Sequence, residues 1–451
     1  MREGSLEAPT RHAIAWEDPD FIDRTNTEKE MLRVFDICHT CRRCFNLCDS
    51  FPRLFDLIDN SPTGELDGVA VADFHQVADA CTLCDMCFMT KCPYVPPHDF
   101  NVDFPHLMLR YRAVEHREGK VPWSRRELGK TDRNGKLAGL AAPLANWGSD
   151  QHNHLTRPIL EKIAGVDRNA ALPKYHGRTF MMRTRGAPPP VDRTAPAAAR
   201  KAVLYATCFA NYNNPSIGES SRAVLARNGV ETEPLYPQCC RMPQLESGDI
   251  AAVAAAAWQV AATFEPWIDR GYDVVALVPS CALMLKFEWP LIVPGNPAVK
   301  KLARATFDIS EYIVDIARNE GLAPGLRPLG GAVTLHLACH ARAQNIGQKA
   351  AEMLRLLPDT QINVIERCSG HGGSWGVLKE NFDTAIKIGR PVARQALREA
   401  SQFLAAECPL AGLHIRQGME LLDQTASVPV RSLHPIELVA RAYGIDDREA
   451  S

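Results

Sequence analysis

The sequence predicts a multi-domain α+β protein, with a helical N-terminal part followed by two tandem α/β repeats built on parallel sheets. Three observations predict it. Two dense cysteine runs, at residues 38–48 and 81–92, lie within a segment of helical apolar spacing. A proline- and alanine-rich stretch at residues 186–199 marks a boundary. Beyond it, strand and helix patterns alternate and occur twice, which is typical of parallel sheets with right-handed crossovers.

The composition of the 451-residue chain is that of an ordinary globular protein, long enough for several domains. Hydrophobic residues make up 46%, charged residues 23%, and the formal net charge is −2, so the charge balance does not favour nucleic acid as a partner. Residues 1–19 contain no apolar signal-peptide core. No apolar run reaches the roughly 18 residues of a spanning helix. We therefore expect a cytoplasmic protein and leave open a peripheral position on the inner face of the membrane.

The two cysteine runs have the spacing of iron–sulfur ligands. They read CHTCRRCFNLC (38–48) and CTLCDMCFMTKCP (81–93). Three thiols in a CxxCxxC run can wrap one face of an iron–sulfur cube, and the fourth then reaches the other cluster, as in two-cluster ferredoxins. We therefore predict two 4Fe–4S clusters with crossed ligation. One ligand set is Cys38, Cys41, Cys44 and Cys92, and the other is Cys81, Cys84, Cys87 and Cys48.

Zinc and disulfides are the alternatives for these runs. Zinc sites usually pair two CxxC knuckles, and a triple run supplies one thiolate too many for that pattern. A disulfide framework belongs to small secreted chains. The odd total of 15 cysteines agrees with reduced thiols that bind metal.

The predicted organisation has six segments. Candidate helices between and after the runs are Phe51–Ile58, Val69–Ala80, His106–Glu118, Gly135–Trp147 and Leu155–Ile163. The 32 residues between the runs fit a helical two-cluster domain, similar to that of succinate dehydrogenase iron–sulfur subunits, better than a compact β-type ferredoxin. The segments are an N-terminal arm (1–30), a helical 4Fe–4S ferredoxin-type domain (31–110), a basic helical connector (111–185), a linker (186–199) and cysteine-rich repeats 1 (200–325) and 2 (330–448).

The internal repeat places cysteines after successive predicted strands. In repeat 1 the strands Ala202–Thr207, Glu231–Tyr236 and Asp273–Val278 are followed by Cys208, Cys239-Cys240 and Cys281. In repeat 2 the strands Val333–Ala338 and Ile362–Ile365 and a third apolar run are followed by Cys339, Cys368 and Cys408. The steps match, at 31 and 29 residues and then at 41 and 39. Because ligands gather at the carboxyl ends of parallel strands, we expect these thiols at one shared face.

Repeat 1 supplies enough thiolates for a metal site, either a further iron–sulfur cluster or zinc. Repeat 2 has three, with Ser369 in place of a fourth. Four histidines lie at the same predicted strand ends. They are either metal ligands or proton carriers, or they are ordinary core histidines. The loop Ser369–Gly373 is either a tight turn or a backbone that approaches an anion or cluster closely. The histidines are His336, His340, His371 and His414.

Several motifs resemble those of the heterodisulfide-reductase-related iron–sulfur proteins. They begin at Cys239 (CCRMP), Ser280 (SCALM), Cys339 (CHARAQN), Cys368 (CSGHGG) and Cys408 (CPLAG). That family, with its CCG cysteine-rich domain, includes the C subunit of anaerobic glycerol-3-phosphate dehydrogenase and the iron–sulfur subunit of glycolate oxidase. The resemblance implies electron transfer from a flavoprotein dehydrogenase to a quinone or another acceptor. Some similar proteins resemble partners of rubrerythrin-type proteins.

The sequence departs from the family pattern at the second site. Arg241 replaces the glycine of the CCG triplet, and neither Cys281 nor Cys408 has a CxxC partner. Neither repeat has the five cysteines that the family's non-cubane cluster requires. Arg241 places a cation that could stabilise an anionic cluster or bind an acidic ligand.

Three functions follow from the sequence. The first is an electron-transfer subunit that depends on a separate flavoprotein or rubrerythrin-type partner. The second is a self-contained reductase of a disulfide or peroxide-derived substrate, with His371, His340 and Arg241 as candidate catalytic residues. The third is a scaffold in which zinc binds the C-terminal cysteines.

Overall fold

The computed structural model describes residues 9–423, 425 and 428–445. Residues 1–8 of the predicted arm and residues 446–448 of predicted repeat 2 lie outside the described residues. The predicted fold class is confirmed, because a helical N-terminal part is followed by two four-stranded parallel sheets.

The N-terminal part is a helical unit with an aromatic core. Its first long helix starts where the Asp23 side chain accepts a hydrogen bond from the Asn26 N–H at 2.8 Å. The ring centroids of Phe51 and Phe104 are 4.6 Å apart, and those of Phe35 and Phe74 are 5.0 Å apart. These aromatic contacts pack the helices against one another. The helices are α1 (Arg24–Cys41), α2 (Ser50–Asp59), α3 (His75–Ala80) and α4 (Phe104–Arg117).

The connector is a series of short helices that cover both repeats. The predicted helix Gly135–Trp147 is wrong in its middle, because the chain breaks at Ala141 and restarts with Pro143 in the first turn of the next helix. Proline cannot continue a helix but fits its start. The helices are α5 (Trp123–Leu128), α6 (Thr131–Leu140), α7 (Ala142–Ser149), α8 (Arg157–Ala164) and α9 (Phe180–Arg183).

Repeat 1 is a parallel sheet with strand order β2-β1-β3-β4. Strand β1 is buried after its first residue, as expected of a central parallel strand. The strands are β1 (Lys201–Tyr205), β2 (Glu231–Leu235), β3 (Asp273–Ala276) and β4 (Thr306–Asp308). The helices are α10 (Cys208–Tyr212), α11 (Pro215–Arg227), α12 (Met242–Glu246), α13 (Ile250–Ile268), α14 (Pro279–Leu283), α15 (Trp289–Ile292), α16 (Pro297–Ala305) and α17 (Ile309–Asn319).

Repeat 2 repeats the same topology, with order β6-β5-β7-β8. The last helix of each repeat begins with a capping box, at Asp308 with Glu311 and at His434 with Glu437. The strands are β5 (Val333–His336), β6 (Ile362–Ile365), β7 (Phe403–Ala406) and β8 (Ser432–Leu433). The helices are α18 (Cys339–Arg342), α19 (Lys349–Leu354), α20 (Phe382–Glu399), α21 (Pro409–Leu422) and α22 (Pro435–Ala442).

The three parts share their apolar cores. One cluster of buried residues joins the N-terminal helices to α13 of repeat 1, and a second joins the sheets of the two repeats. The predicted linker lies against repeat 1, because Ala197 is buried in that second cluster and the Asp192 N–H donates to the Ala226 carbonyl at 2.9 Å. The N-terminal arm also reaches repeat 1, where the Ile14 N–H donates to the Leu291 carbonyl at 2.8 Å. The cysteine runs are thus fixed against the repeats.

Candidate metal centres

The first predicted ligand set lines a single pocket. Helix α1 ends at Cys41, and Arg42 adopts left-handed backbone with φ 50°, which turns the chain toward the rest of the run. The pocket encloses about 320 Å³, including its solvent-open mouth, and the rings of Phe51 and Phe55 form part of its wall. Burial, and then the neighbouring thiols, raise the pKa of Cys38 well above its usual range. The cysteines that line this pocket are Cys38, Cys41, Cys44 and Cys92.

The second predicted ligand set is also brought together. Burial, and then the thiols of Cys84, Cys81 and Cys48, raise the pKa of Cys87. Two residues inside this run, Leu83 with φ 47° and Asp85 with φ 62°, hold left-handed backbone. Residues other than glycine rarely adopt this backbone conformation, so surrounding contacts must stabilise it here.

Each set suits an iron–sulfur cube better than it suits free thiols. Burial raises the pKa of Cys84 to about 12, so that without a cation this thiol stays protonated. A bound metal deprotonates such thiols outright. Four thiols are the ligand set that a 4Fe–4S cluster takes. Among the described residues, no three histidine, cysteine or acidic side chains are arranged to hold a single metal ion.

The cysteines of repeat 1 form two close pairs at the carboxyl ends of β1, β2 and β3. The Sγ atoms of Cys208 and Cys239 are 3.7 Å apart, and those of Cys240 and Cys281 are 3.3 Å apart. Hydrogen bonds from the thiols of Cys208 and Cys240 lower the pKa of Cys239, and the Arg241 N–H also donates to its Sγ at 3.4 Å. The site lies at the switch point between β1 and β3, where doubly wound sheets bind ligands.

Helix α6 of the connector covers this site. The Cys239 N–H donates to Asp132 Oδ2 at 2.9 Å, and the Tyr236 hydroxyl donates to Asp132 Oδ1. Gly135 lies so close to the ring of Tyr212 that a Cβ atom there would meet the ring at 2.4 Å. We predicted scaffold or partner contact for the connector and did not identify Asp132. Its partners are 104 and 107 residues away, and the spacing of the sequence carries no signal of such a contact.

Arg241 occupies the position of the family's glycine in a conformation that glycine favours. Its φ is 68°, in the left-handed region. One Nη atom donates to Gln238 Oε1 at 3.2 Å, and the buried Nε has no hydrogen-bond partner. Arg241 therefore combines a strained backbone with an unsatisfied hydrogen-bond donor beside the cysteine pairs.

The cysteines of repeat 2 lie beside the second cysteine run. Burial, and then the thiols of Cys84, Cys368 and Cys408, raise the pKa of Cys339. Cys368 is exposed, whereas the adjacent Ser369 is buried. The three thiols of this repeat therefore lie close to one another and to the second ligand set.

The loop after Cys368 makes a close backbone approach. Gly370, Gly372 and Gly373 all have positive φ, at 81°, 55° and 63°. A Cβ on Gly372 would meet the side chain of Thr82, within the second cysteine run, at 2.5 Å. A Cβ on Gly373 would meet the carboxylate of Glu246 at 2.8 Å. The glycines thus let repeat 2 contact the second cysteine run.

The histidines at the strand ends are largely buried, and burial favours their neutral form. Burial lowers the pKa of His371 to about 3 and that of His336 to about 4. The Gly373 N–H donates to His371 Nδ1 at 3.1 Å, so the ring proton is on Nε2. His340 Nδ1 lies 2.9 Å from Ser280 Oγ, and burial lowers its pKa as well. A general base works best with a pKa near the working pH, which His371 does not have.

These features define a protein built on repeated cysteine-rich domains. The family model described as the cysteine-rich domain, CCG, matches the chain at residues 202–286 and 333–416. The chain belongs to the family of proteins that carry this domain. In the part of the chain that the structure describes, no helix has the length and apolar character needed to span a bilayer.

Characterised relatives cover much of the chain. The C subunit of anaerobic glycerol-3-phosphate dehydrogenase from Escherichia coli (strain K12) is 26% identical over 318 residues, which are 70% of this chain and 76% of that protein. Lactate utilization protein A of Bacillus pumilus (strain SAFR-032) is 30% identical over 248 residues, which are 53% of this chain and 98% of that protein. The predicted resemblance to the dehydrogenase's C subunit is confirmed.

Proposed function

We propose that this chain is an iron–sulfur electron-transfer subunit of an oxidoreductase complex. The observation that carries the proposal is the grouping of the N-terminal cysteines into two four-thiol sets, of which the second adjoins the thiols of repeat 2. Two 4Fe–4S clusters held by these sets would supply one-electron redox chemistry. The chain itself provides partial burial and a fixed position for each set.

The route through the chain follows from which thiols are neighbours. After burial, the charge of Cys368 is the largest influence that raises the pKa of Cys84. Cys48, also of the second set, is influenced by Cys368 as well. We therefore propose that the thiols of repeat 2, rather than those of repeat 1, exchange electrons with the second set. A further iron–sulfur cluster or zinc at the repeat cysteines belongs to this proposal.

The electron donor and acceptor lie outside this chain. One relative is by name a subunit of a dehydrogenase, which supports a dehydrogenase partner here. We propose a flavoprotein as that partner, because the sequence has no dinucleotide fingerprint of its own. A rubrerythrin-type protein is the alternative partner, and a quinone or another membrane-bound acceptor would receive the electrons.

Iron analysis with EPR on anaerobically purified protein tests the two sets. We expect about eight irons per chain and two distinguishable reduced-cluster signals. Cys38→Ser should remove one signal and Cys84→Ser the other, so that each variant is the control for the other. Fewer than about four irons per chain in the unmodified protein would exclude two cubes.

The connector supports a peripheral position on a membrane. Helices α6, α7 and α8 are consecutive neighbours, and each has apolar side chains exposed on one face. Residues 123–185 contain twelve lysines and arginines against five acidic residues. Basic helices with exposed leucine, isoleucine and tryptophan bind the interface of anionic membranes. The exposed side chains are Trp123, Leu137, Leu140, Leu144, Trp147, Leu155, Ile159 and Ile163.

Vesicle sedimentation tests this position. The full chain should sediment with vesicles that contain phosphatidylglycerol and much less with phosphatidylcholine alone. Leu140→Glu with Leu144→Glu should weaken binding at least tenfold, whereas Leu421→Glu, a change at an exposed leucine of repeat 2, should not. Equal binding by both variants would exclude the connector as the membrane contact, and binding to a purified dehydrogenase instead would assign the surface to that partner.

A self-contained reductase is the second candidate. The observation that favours it is the close approach of the Cys240 and Cys281 thiols beside Arg241, which could bind an acidic disulfide substrate. Under this function Cys240→Ser abolishes turnover while both N-terminal EPR signals persist and still reduce normally. Zinc at one or two equivalents, with no iron beyond the cubes, would instead assign these cysteines to a structural site.

A further inference from the structure

Arg11, on the N-terminal arm, is held inside the molecule by three carboxylates. Two of its N–H groups donate to Asp85, from Nη2 at 2.7 Å and from Nη1 at 3.0 Å. Nε donates to Asp103 Oδ2 at 3.0 Å, and Nη1 also donates to Glu288 Oε1 at 3.2 Å. The guanidinium lies 4.4 Å from the ring centroid of Phe88. The Arg11 side chain is only 12% exposed, which is low for an arginine near a chain end.

The first of these carboxylates belongs to the second cysteine run. Asp85 directly follows Cys84 and precedes Cys87 by two residues. Its φ of 62° is left-handed, so its conformation depends on contacts that hold it. The bidentate pair with Arg11 is the strongest kind of such contact, because a guanidinium and a carboxylate match in geometry and charge.

The other two carboxylates hold Arg11 in place from two different parts of the fold. Asp103 is the N-cap of α4 and accepts the His106 N–H at 3.2 Å. Glu288 ends the turn that follows α14, the helix that contains Cys281. His106 closes the group, with Nδ1 3.2 Å from Asp103 and Nε2 3.2 Å from Glu288. Arg11 thus joins the second cysteine run, the N-terminal helices and repeat 1.

We propose that Arg11 is a positioning residue for the Cys84–Cys87 loop and that its charge sets the reduction potential of the group held by Cys81, Cys84, Cys87 and Cys48. The inference rests on the proposed electron-transfer function. Asp85 is next to Cys84 in the chain and two residues from Cys87, so its charge lies beside the ligand thiols. Arg11 neutralises that charge in a site of low dielectric, where unpaired charges act strongly.

Charge variants at the two partners test the inference in opposite directions. Arg11→Met removes the cation that pairs with Asp85, so the second cluster should be harder to reduce and its potential should fall. Asp85→Asn removes a negative charge, and asparagine tolerates left-handed backbone, so the potential should rise. Arg11→Lys keeps the charge without the fork and should lie between Arg11→Met and the unmodified protein. The readouts are iron per chain and EPR-monitored potentiometric titration.

Arg24 is a matched control. It also donates to a carboxylate, Glu118, at 3.2 and 2.5 Å, and it lies 4.9 Å from the ring centroid of Tyr111. Arg24→Met should leave both potentials unchanged, and the first cluster should be unaffected in every variant. Selective loss of the second signal in Arg11→Met, with about half of the iron, would equally support the positioning role.

Three results separate this inference from the proposed function. If Arg11→Met and Asp85→Asn both keep full iron and the reduction potentials of the unmodified protein, the inference about Arg11 is wrong, and the proposed function still stands. Potentials that shift in the same direction in these two variants would also overturn it. Unmodified protein with fewer than about four irons would overturn the proposed function and the inference together.

Discussion

Gly370→Ala tests whether the loop after Cys368 depends on backbone contact that excludes a side chain. Gly370 has φ 81°, and a Cβ there would lie 2.2 Å from the Ala385 carbonyl oxygen and 2.9 Å from the Gly389 nitrogen. Both are backbone atoms of α20, which cannot move aside as a flexible side chain can. The substitution therefore combines left-handed strain with a steric conflict in the core of repeat 2.

A second glycine separates these two effects. Gly271 has nearly the same φ, 80°, but no heavy atom lies within 4 Å of the position of its Cβ. Gly271→Ala should therefore cost only the left-handed strain, about 1–2 kcal/mol. Overpacking adds about 1–3 kcal/mol, so Gly370→Ala should cost about 2–5 kcal/mol of the free energy of unfolding.

Urea unfolding followed by far-UV circular dichroism measures both variants. The two sheets share one apolar core, and each variant is compared with the unmodified protein in the same assay. A second readout is the alkylation rate of Cys368, whose Sγ accepts the Gly370 N–H at 3.4 Å and which should react faster when the loop is displaced. Equal losses of stability in the two variants would refute the argument, because the contacts around Gly370 would then contribute nothing.

Two further predictions concern a buried acid and the strained arginine. Burial raises the pKa of Asp308 from 3.8 to about 6. The protonated carboxyl therefore adds to the free energy of unfolding. This contribution is fully present below pH 3.8 and is lost as the pH rises through 6. Asp308→Asn keeps the bond from the Ser310 N–H at 2.9 Å. Its stability relative to the unmodified protein should rise by about 2 kcal/mol between pH 4 and 7 in urea titrations. A constant difference would contradict the burial argument. Arg241→Gly relieves the left-handed backbone strain but loses the hydrogen bond to Gln238. Because these effects oppose each other, the free energy of unfolding should change by less than about 1 kcal/mol in the same assay. A loss above about 2 kcal/mol would show a structural role for the guanidinium.

Local patterns were enough to predict most of the fold. The strand Ile362–Ile365 was predicted with its observed bounds, and the predicted helix Phe51–Ile58 is observed as α2, one residue longer at each end. The sequence did not reveal β4 and β8, which have three and two residues. Such short strands show no alternation, and their pairing partners β3 and β7 decide their conformation.

The candidate sites were predicted where ligands are close in sequence and missed where contacts are distant. CxxC spacing was enough to group thiols that the structure indeed places together, although which metal they bind stays a prediction. Asp132 and Arg11 were missed, because their partners come from other segments, up to 277 residues away for Arg11. A charged residue in a polar stretch gives no sign that tertiary packing will bury it.

The two repeats share one topology but differ in what surrounds their thiols. Repeat 1 has four cysteines, and a connector helix covers them through Asp132. Repeat 2 has three, and its glycine loop contacts Thr82 of the second cysteine run. A fourth thiol at Ser369 would be buried, next to Gly370, whose backbone approaches α20. The copy with fewer thiols is thus the copy whose thiols adjoin the second cysteine run. This is the arrangement expected if repeat 2 relays electrons and repeat 1 keeps its own thiol group for a partner or substrate.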